Sequence, residues 1–261
     1  MVRAPRSGPA VLLSALAAAL LLARPAHAAD PIDTDGPDFV ESSEVVPKGR
    51  FQYEVDFTST RNRGTPAEGP TTSTPALLKY GFADNLELRV APDGYLRRDG
   101  AAGAGDTAIG LKWHTQDRDA AAGIPAVSWI LHVDAPTGAR AFRGEGLRPS
   151  LRSVITWDLP RDFALGVMPG VKYDARADGH RYASAILGAV LNKRFSEQVR
   201  AFVEVSVPQA ARQRDGGVVA SWDVGAAYLV NADLQVGVRA GVAANLNTPR
   251  SFALFEVAQR F

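Results

Sequence analysis

The 261-residue chain has no cysteine, which excludes a disulfide framework and a thiolate metal site and suits transit through an oxidising periplasm. It has no excess of one charge either. Its 29 Lys+Arg stand against 28 Asp+Glu, whereas a nucleic-acid partner would call for a marked basic surplus. Long apolar runs are absent except at the N-terminus, where Arg3 and Arg6 precede the apolar stretch Ala10 to Ala23 and the small-residue site Ala26-His27-Ala28. This reads as an export signal over residues 1–28, shorter than the roughly 20 apolar residues that a helical span requires.

With no second apolar run, residence in a membrane has to come from strands. In lipid every backbone polar group needs a partner, and a closed barrel is the one sheet without an open edge. From Arg50 onward the pattern has period 2. Phe51, Tyr53, Val55 and Phe57 interleave with Gln52, Glu54, Asp56 and Thr58, and the alternation returns around Leu88, Leu111, Trp129, Val167, Val203 and Val236. The polar face carries charge in most of these strands. Shifting the register by one would place Arg200, Glu204 or Arg239 in hydrocarbon, at about 2–4 kcal/mol for an arginine at midplane. The apolar faces are therefore expected to meet lipid and the charged faces to line a lumen.

Connections support this topology. Short turns near Gly81 to Asn85, Gln116 to Gly123, Leu159 to Asp162, Asn192 to Glu197 and Asn231 to Asp233 alternate with longer loops. Those loops fall at Arg61 to Pro70, Asp93 to Gly105, Thr137 to Gly146, Asp174 to Gly179, Pro208 to Gly217 and Leu246 to Arg250. The expected fold is all-β, a transmembrane antiparallel barrel of about twelve strands over residues 49–261, with both ends on the periplasmic side. Phe82, Trp157, Phe163, Phe195, Tyr228 and Phe261 gather by the short turns, and Tyr173 and Tyr182 flank a long loop, as membrane girdles would. The face of Tyr182 to Leu191 that meets lipid is not decided by its sequence, and Pro75 interrupts Thr71 to Tyr80.

Residues 29–48 do not alternate. Asp33, Asp35, Asp38, Glu41 and Glu44 stand there with Pro31, Pro37 and Pro47, which discourage regular structure. The string TDGPDFVESSEVVPKGRFQYE, Thr34 to Glu54, resembles the N-terminal signature TDRPDFTESSxVVPxGxxQxE of the family named for the MetA pathway of phenol degradation, a set of outer-membrane barrels. GFADNLELR at Gly81 to Arg89 and APTG at Ala135 to Gly138 resemble further turns of that family, and the resemblance covers the mature chain. It implies a transporter-like role, for aromatic or other hydrophobic compounds. Gly36 departs from the signature, which has arginine at that place.

The lumen candidates are Glu54, Asp56, Glu87, Arg89, Lys112, His132, Asp134, Arg152, Lys172, Arg200, Glu204, Asp223, Arg239 and Glu256, together with Lys79 and Arg260. Their signs nearly cancel, so a cross-strand network narrowing the passage is expected rather than the single-sign ring of a strongly ion-selective pore. The acidic segment could enter the periplasmic mouth as a plug on Arg200 or Arg239, or remain a periplasmic tail. A hydrolase reading would recruit His132 and Asp134 with Ser128 or Ser150, but neighbours on one strand face lie about 7 Å apart, too far for a triad. His114 and His132 are expected too far apart along the wall to share a metal. Trp113, Trp129, Trp157 and Trp222 share parity with aliphatic residues and read as lipid-facing. Arg140, Arg143, Glu145 and Arg148 read as a solvated outer loop.

The expected function is passive uptake of a small hydrophobic or aromatic solute across the outer membrane of a Gram-negative bacterium, without covalent chemistry, cofactor or metal. A non-conducting structural or adhesion barrel is the alternative, and an outer-membrane hydrolase a third. Expected partners are outer-membrane lipid and lipopolysaccharide, the solute, and the barrel-assembly machinery through the C-terminal Phe261; no nucleic acid is expected.

Overall fold

The computed structural model describes residues 30–63 and 70–261, so the export signal lies outside the described residues. The strands are β1 (Phe51–Arg61), β2 (Thr71–Ser73), β3 (Ala76–Ala83), β4 (Leu86–Pro92), β5 (Tyr95–Arg98), β6 (Ala101–Ala104), β7 (Thr107–Gln116) and β8 (Ala126–Ala135). They continue with β9 (Arg148–Leu159), β10 (Phe163–Val167), β11 (Gly170–Ala175), β12 (Arg181–Arg194), β13 (Val199–Ala210), β14 (Val218–Asn231), β15 (Leu234–Ala243) and β16 (Ser251–Arg260). Four successive pairs, β2/β3, β4/β5, β6/β7 and β10/β11, are halves of single staves. Two of these breaks fall at prolines, Pro75 and Pro169, which have no N–H to give to a ladder.

The resulting twelve staves are antiparallel, and β16 pairs back onto β1 from Gln52 with Arg260 to Arg61 with Ser251. This closure removes the sheet edge. Beyond the last pair the Phe261 N–H donates to the Phe51 carbonyl at 2.8 Å, and its ring lies 5.9 Å from that of Tyr53. The terminal phenylalanine thus fastens the seam at the short-turn end.

Side-chain burial follows the alternation. Phe57, Ile109, Trp129, Val203, Trp222 and Val224 are between 43 and 63% exposed on the outside, while Gln52, Glu54, Glu87, Lys112, Glu204 and Glu256 are buried inside. An exposed apolar belt of this extent marks a surface made for lipid. Trp113, Trp129 and Trp222 stand on it, half-exposed.

Two expectations need correction. Asp93 to Gly105 is not a loop: β5 and β6 extend the barrel wall there as a hairpin, turned by Asp99 and Gly100 at φ 50° and 81°, the Asp-Gly pair that a two-residue turn with positive φ favours. Its density of glycine and arginine disguised two strands. Arg148 is not a solvated loop residue but the buried start of β9, whose guanidinium meets Asp106 at 2.6 Å.

β12 turns Ser184, Ile186 and Val190 inward and Ala183, Ala185, Leu187 and Leu191 outward. Both of its faces are apolar, so alternation carries no sign there. The inner apolar face has a purpose that lies in the acidic segment.

Candidate functional site

The lumen holds the acidic segment. From Pro31 the segment belongs to the same compact unit as the barrel, and it runs through the short-turn half of the lumen with Ile32, Thr34, Asp35, Val40, Ser43 and Val46 each under 10% exposed. Its prolines keep it out of any extended ladder, so its backbone donors need other acceptors. Wall carboxylates provide them. Glu54 accepts the N–H groups of Asp35 and Gly36 at 3.0 and 3.2 Å, Glu204 those of Phe39 and Val40 at 2.9 and 2.8 Å, and Glu87 that of Val46 at 2.8 Å.

The segment's own carboxylates face the wall's cations. Asp35 is the centre: one oxygen meets Lys79 at 2.8 Å and Arg89 at 2.9 Å, the other Lys112 at 2.6 Å. Glu41 bridges Arg89 at 2.6 Å and Arg152 at 2.5 Å. Asp38 pairs with Arg200 at 2.9 Å, and Glu44 with Arg118 at 2.5 Å. Charge-assisted bonds of this kind are shorter and stronger than neutral ones. Most wall cations therefore pair with the segment rather than across strands, and this exchange of acceptor and donor roles was invisible to a strand-by-strand reading. Asp33 differs from the other segment acids: its carboxylate joins no ion pair among the described residues but is hydrogen-bonded by the Ser42 side chain, and its carbonyl accepts from Gln52 at 2.8 Å.

An apolar contact fixes the segment's depth. Val40, with Phe39 beside it, sits in a socket of Ile130, Val154, Met168, Ile186, Val190 and Phe202. These inward apolar residues interrupt the polar stripes of β8, β9, β12 and β13, and that interruption was the available sequence signal. Inward glycines make room. A Cβ on Gly188 would stand 2.6 Å from Val40, and one on Gly81 would fall 2.2 Å from the Pro47 carbonyl, closer than packed atoms tolerate.

Every expected lumen residue lies on the inward parity, but they fall into separate groups. Glu54, Glu87, Arg89, Lys112, Arg152, Arg200 and Glu204 touch the segment. Arg239 meets the segment only through the Phe39 ring, 6.0 Å from its guanidinium, and pairs with Asp223 at 2.5 Å and Glu204 at 3.2 Å, both wall acids. Toward the long loops Lys172 lies 3.3 Å from Asp134 and 3.4 Å from Asp174. Arg260 lies at the other end, on Asp233 at 2.8 Å. Between β6 and β7, Asp106 binds the long β8–β9 loop through the N–H groups of Gly138 and Gly144 at 2.8 and 2.9 Å. Arg148 completes its partners at 2.6 Å.

Asp56 and Glu256 are direct cross-strand partners, and Glu256 is 1% exposed with neither carboxylate oxygen bonded. Like charges facing each other across a ladder destabilise it. The departure at Gly36 falls at this place, since a Cβ there would point into the Glu256 carboxylate. Glu256→Gln is expected to stabilise the barrel by about 1–3 kcal/mol, the order of cost for a buried unsatisfied group. Urea unfolding in lipid vesicles reads this, and a loss of stability would contradict it.

The serine and histidine candidates do not assemble a nucleophile, base and acid among the described residues. His132 Nδ1 accepts from Arg152 at 3.0 Å, and Asp134 is engaged by Lys172. Ser128 donates to the Ser43 carbonyl. His114 Nδ1 lies 2.8 Å from that same carbonyl and so must carry a proton, which prevents it from acting as a base toward Ser128 at 3.3 Å. No cluster of three or more metal-ligating side chains occurs among the described residues.

Between the segment and the inner wall from β9 to β15 lies a cavity of about 720 Å³ at the short-turn end, lined by Ile32, Asp38, Phe163, Asn192, Arg200 and Leu229 among others. Its lining is mixed on both sides: the wall gives Arg161, Arg194 and Arg200 beside Phe163, Val199 and Leu229, and the segment gives Asp33 and Asp38 beside Ile32 and Val40.

Comparison with known proteins agrees with this architecture. The KdgM porin superposes with a TM-score of 0.54 at 11% identity, over 80% of this chain and 99% of that one. The NanC porin gives 0.52 at 8% identity, over 80% and 97%. At these identities the likeness concerns the fold, an outer-membrane β-barrel. No curated protein matches the sequence significantly. A family model described as "Putative MetA-pathway of phenol degradation" matches residues 34–261, from the buried acidic segment to the terminal phenylalanine, and the chain belongs to that family.

Proposed function

We propose that the protein is an outer-membrane channel for passive passage of a small hydrophobic or aromatic solute, and that the acidic segment is its stopper. The observation that carries this reading is how the lumen is filled. The short-turn half is occupied by a separate stretch of chain held through ion pairs and hydrogen bonds, not by interlocking wall side chains as in the smallest barrels. A stopper held by polar contacts can leave without unfolding the wall, because each wall group it releases can be taken up by water. The cavity beside it, lined by apolar and charged side chains together, suits a small amphipathic solute, and the family's description supports an aromatic one. Export to the outer membrane of a Gram-negative bacterium fits the belt of lipid-facing residues.

Single-channel recording in planar bilayers tests this. The intact mature chain is expected to show low or intermittent conductance, and a variant lacking Asp33 to Glu44 a larger, steadier one. Equal conductance in the two would remove the stopper role. Silence in both would favour a non-conducting structural barrel.

A further inference from the structure

The two ends of the barrel differ in their basic residues. The lysines are Lys48, Lys79, Lys112, Lys172 and Lys193, all in the lumen or at the short-turn end. Toward the long loops Lys172 lies inside the lumen, and the other permanently charged basic side chains there are arginines. Two of these stand on the outer wall instead of over the mouth. On β1, Phe57, Ser59 and Arg61 are exposed on one face, and Phe57 is a lipid-belt residue. Ser59 pairs with Thr72, and Thr72 with Arg97. Cross-strand partners share a face, so Arg97 points outward too, directly after the exposed Tyr95.

Arg61 and Arg97 thus lie on the outside of the wall, two strand spacings across and two residues along the strand from each other, about 12 Å apart. Both lie on the long-loop side of the belt residue Phe57. Neither forms an ion pair among the described residues. Arg181, the outward arginine on the far side, is different: its guanidinium lies over the Tyr173 ring and donates to the Leu147 carbonyl at 2.6 Å. Among the described residues the β1–β5 patch offers two outward guanidinium forks without an ion pair, beside the lipid-facing belt.

We infer that Arg61 and Arg97 form a binding site on the outer wall for the phosphate of a phosphorylated glycolipid in the outer leaflet. A planar guanidinium binds phosphate through paired N–H donors where an ammonium acts as a point charge, which accounts for arginine at both positions. The apolar belt below them, with Phe57, Phe255 and Tyr95, meets the acyl chains of the same molecule. The site lies outside the lumen and does not depend on whether the channel conducts.

The test uses the full mature chain in detergent micelles, titrated with lipid A carrying both phosphates, with the same lipid after enzymatic removal of its phosphates, and with inorganic phosphate, bound lipid being counted by native mass spectrometry. R61Q/R97Q is compared with the loop control R140Q/R143Q, and heat-modifiable migration verifies that each barrel has formed. Binding of phosphorylated lipid A is expected to weaken at least tenfold in R61Q/R97Q and for dephosphorylated lipid, and to remain unchanged in R140Q/R143Q. Undiminished binding by R61Q/R97Q, equal binding of dephosphorylated lipid, or displacement by millimolar inorganic phosphate would overturn the proposal. If R61Q/R97Q does not form a barrel, R61K/R97K keeps the charge and loses the fork. At least threefold weaker binding then supports the site, and unchanged binding overturns it.

Discussion

Asp35→Asn is expected to free the acidic segment while leaving the barrel closed. The carboxylate of Asp35 is 4% exposed and neutralises Lys79, Arg89 and Lys112, which are 2% exposed or less. It also accepts the Ser42 N–H at 3.1 Å, which shapes the segment's own bend. An asparagine of the same size keeps the packing but leaves three buried cations short of a counter-charge. Removing one partner of a buried pair typically costs about 3–5 kcal/mol. The loss falls on docking of the segment, because the ladders of β3, β4 and β7 do not involve Asp35. Amides from Thr34 to Val46 should then exchange with solvent by local opening, while strand amides keep their protection. Unaltered exchange in the segment would show that the network does not hold it.

Val203→Arg is expected to harm the wall itself. Val203 is 54% exposed on the outer face of β13, between Leu191 and Val224 in the ladder, while its neighbour Glu204 is buried in the lumen. An arginine facing lipid near midplane costs about 2–4 kcal/mol, falling toward the interfaces. A soluble sheet with the same exposure would accept the change within about 0.5 kcal/mol. Reversible urea unfolding in vesicles, with Val203→Leu as control, separates these outcomes. A neutral arginine would mean that this face does not meet hydrocarbon.

The wall was legible from sequence for a simple reason. Where one face meets lipid and the other a charged lumen, period 2 gives both strand and sidedness, as in Phe51 to Thr58 and Val199 to Ser206. Legibility failed where a third body intrudes. Ile186 and Val190 are apolar on the inner face because Val40 docks there, so β12 reads the same on both sides. Glu54, Glu87 and Glu204 were recognised as inward and do meet basic side chains, Lys79, Arg89 and Arg239, but they also accept backbone N–H groups of a segment whose course no periodicity encodes. The β5–β6 hairpin was missed because its strands are short and made of alanine, glycine and arginine, poor strand signals that pairing with β2 overrides. Arg148 was missed because β9 begins earlier than the loop's glycines suggest.

The residence of the acidic segment inside the barrel supports the stopper role, the corrections and the proposed passage alike. Because the chain has no cysteine, a single Ser43→Cys substitution reports on it directly; Ser43 is 1% exposed beneath the wall. With the reconstituted barrel opened to a membrane-impermeant maleimide on its short-turn side, the thiol introduced at Ser43 is expected to react far more slowly than one introduced at Asp119 in an exposed turn, and as fast only after heat unfolding. Equal reaction rates in the folded barrel would mean that the segment is outside.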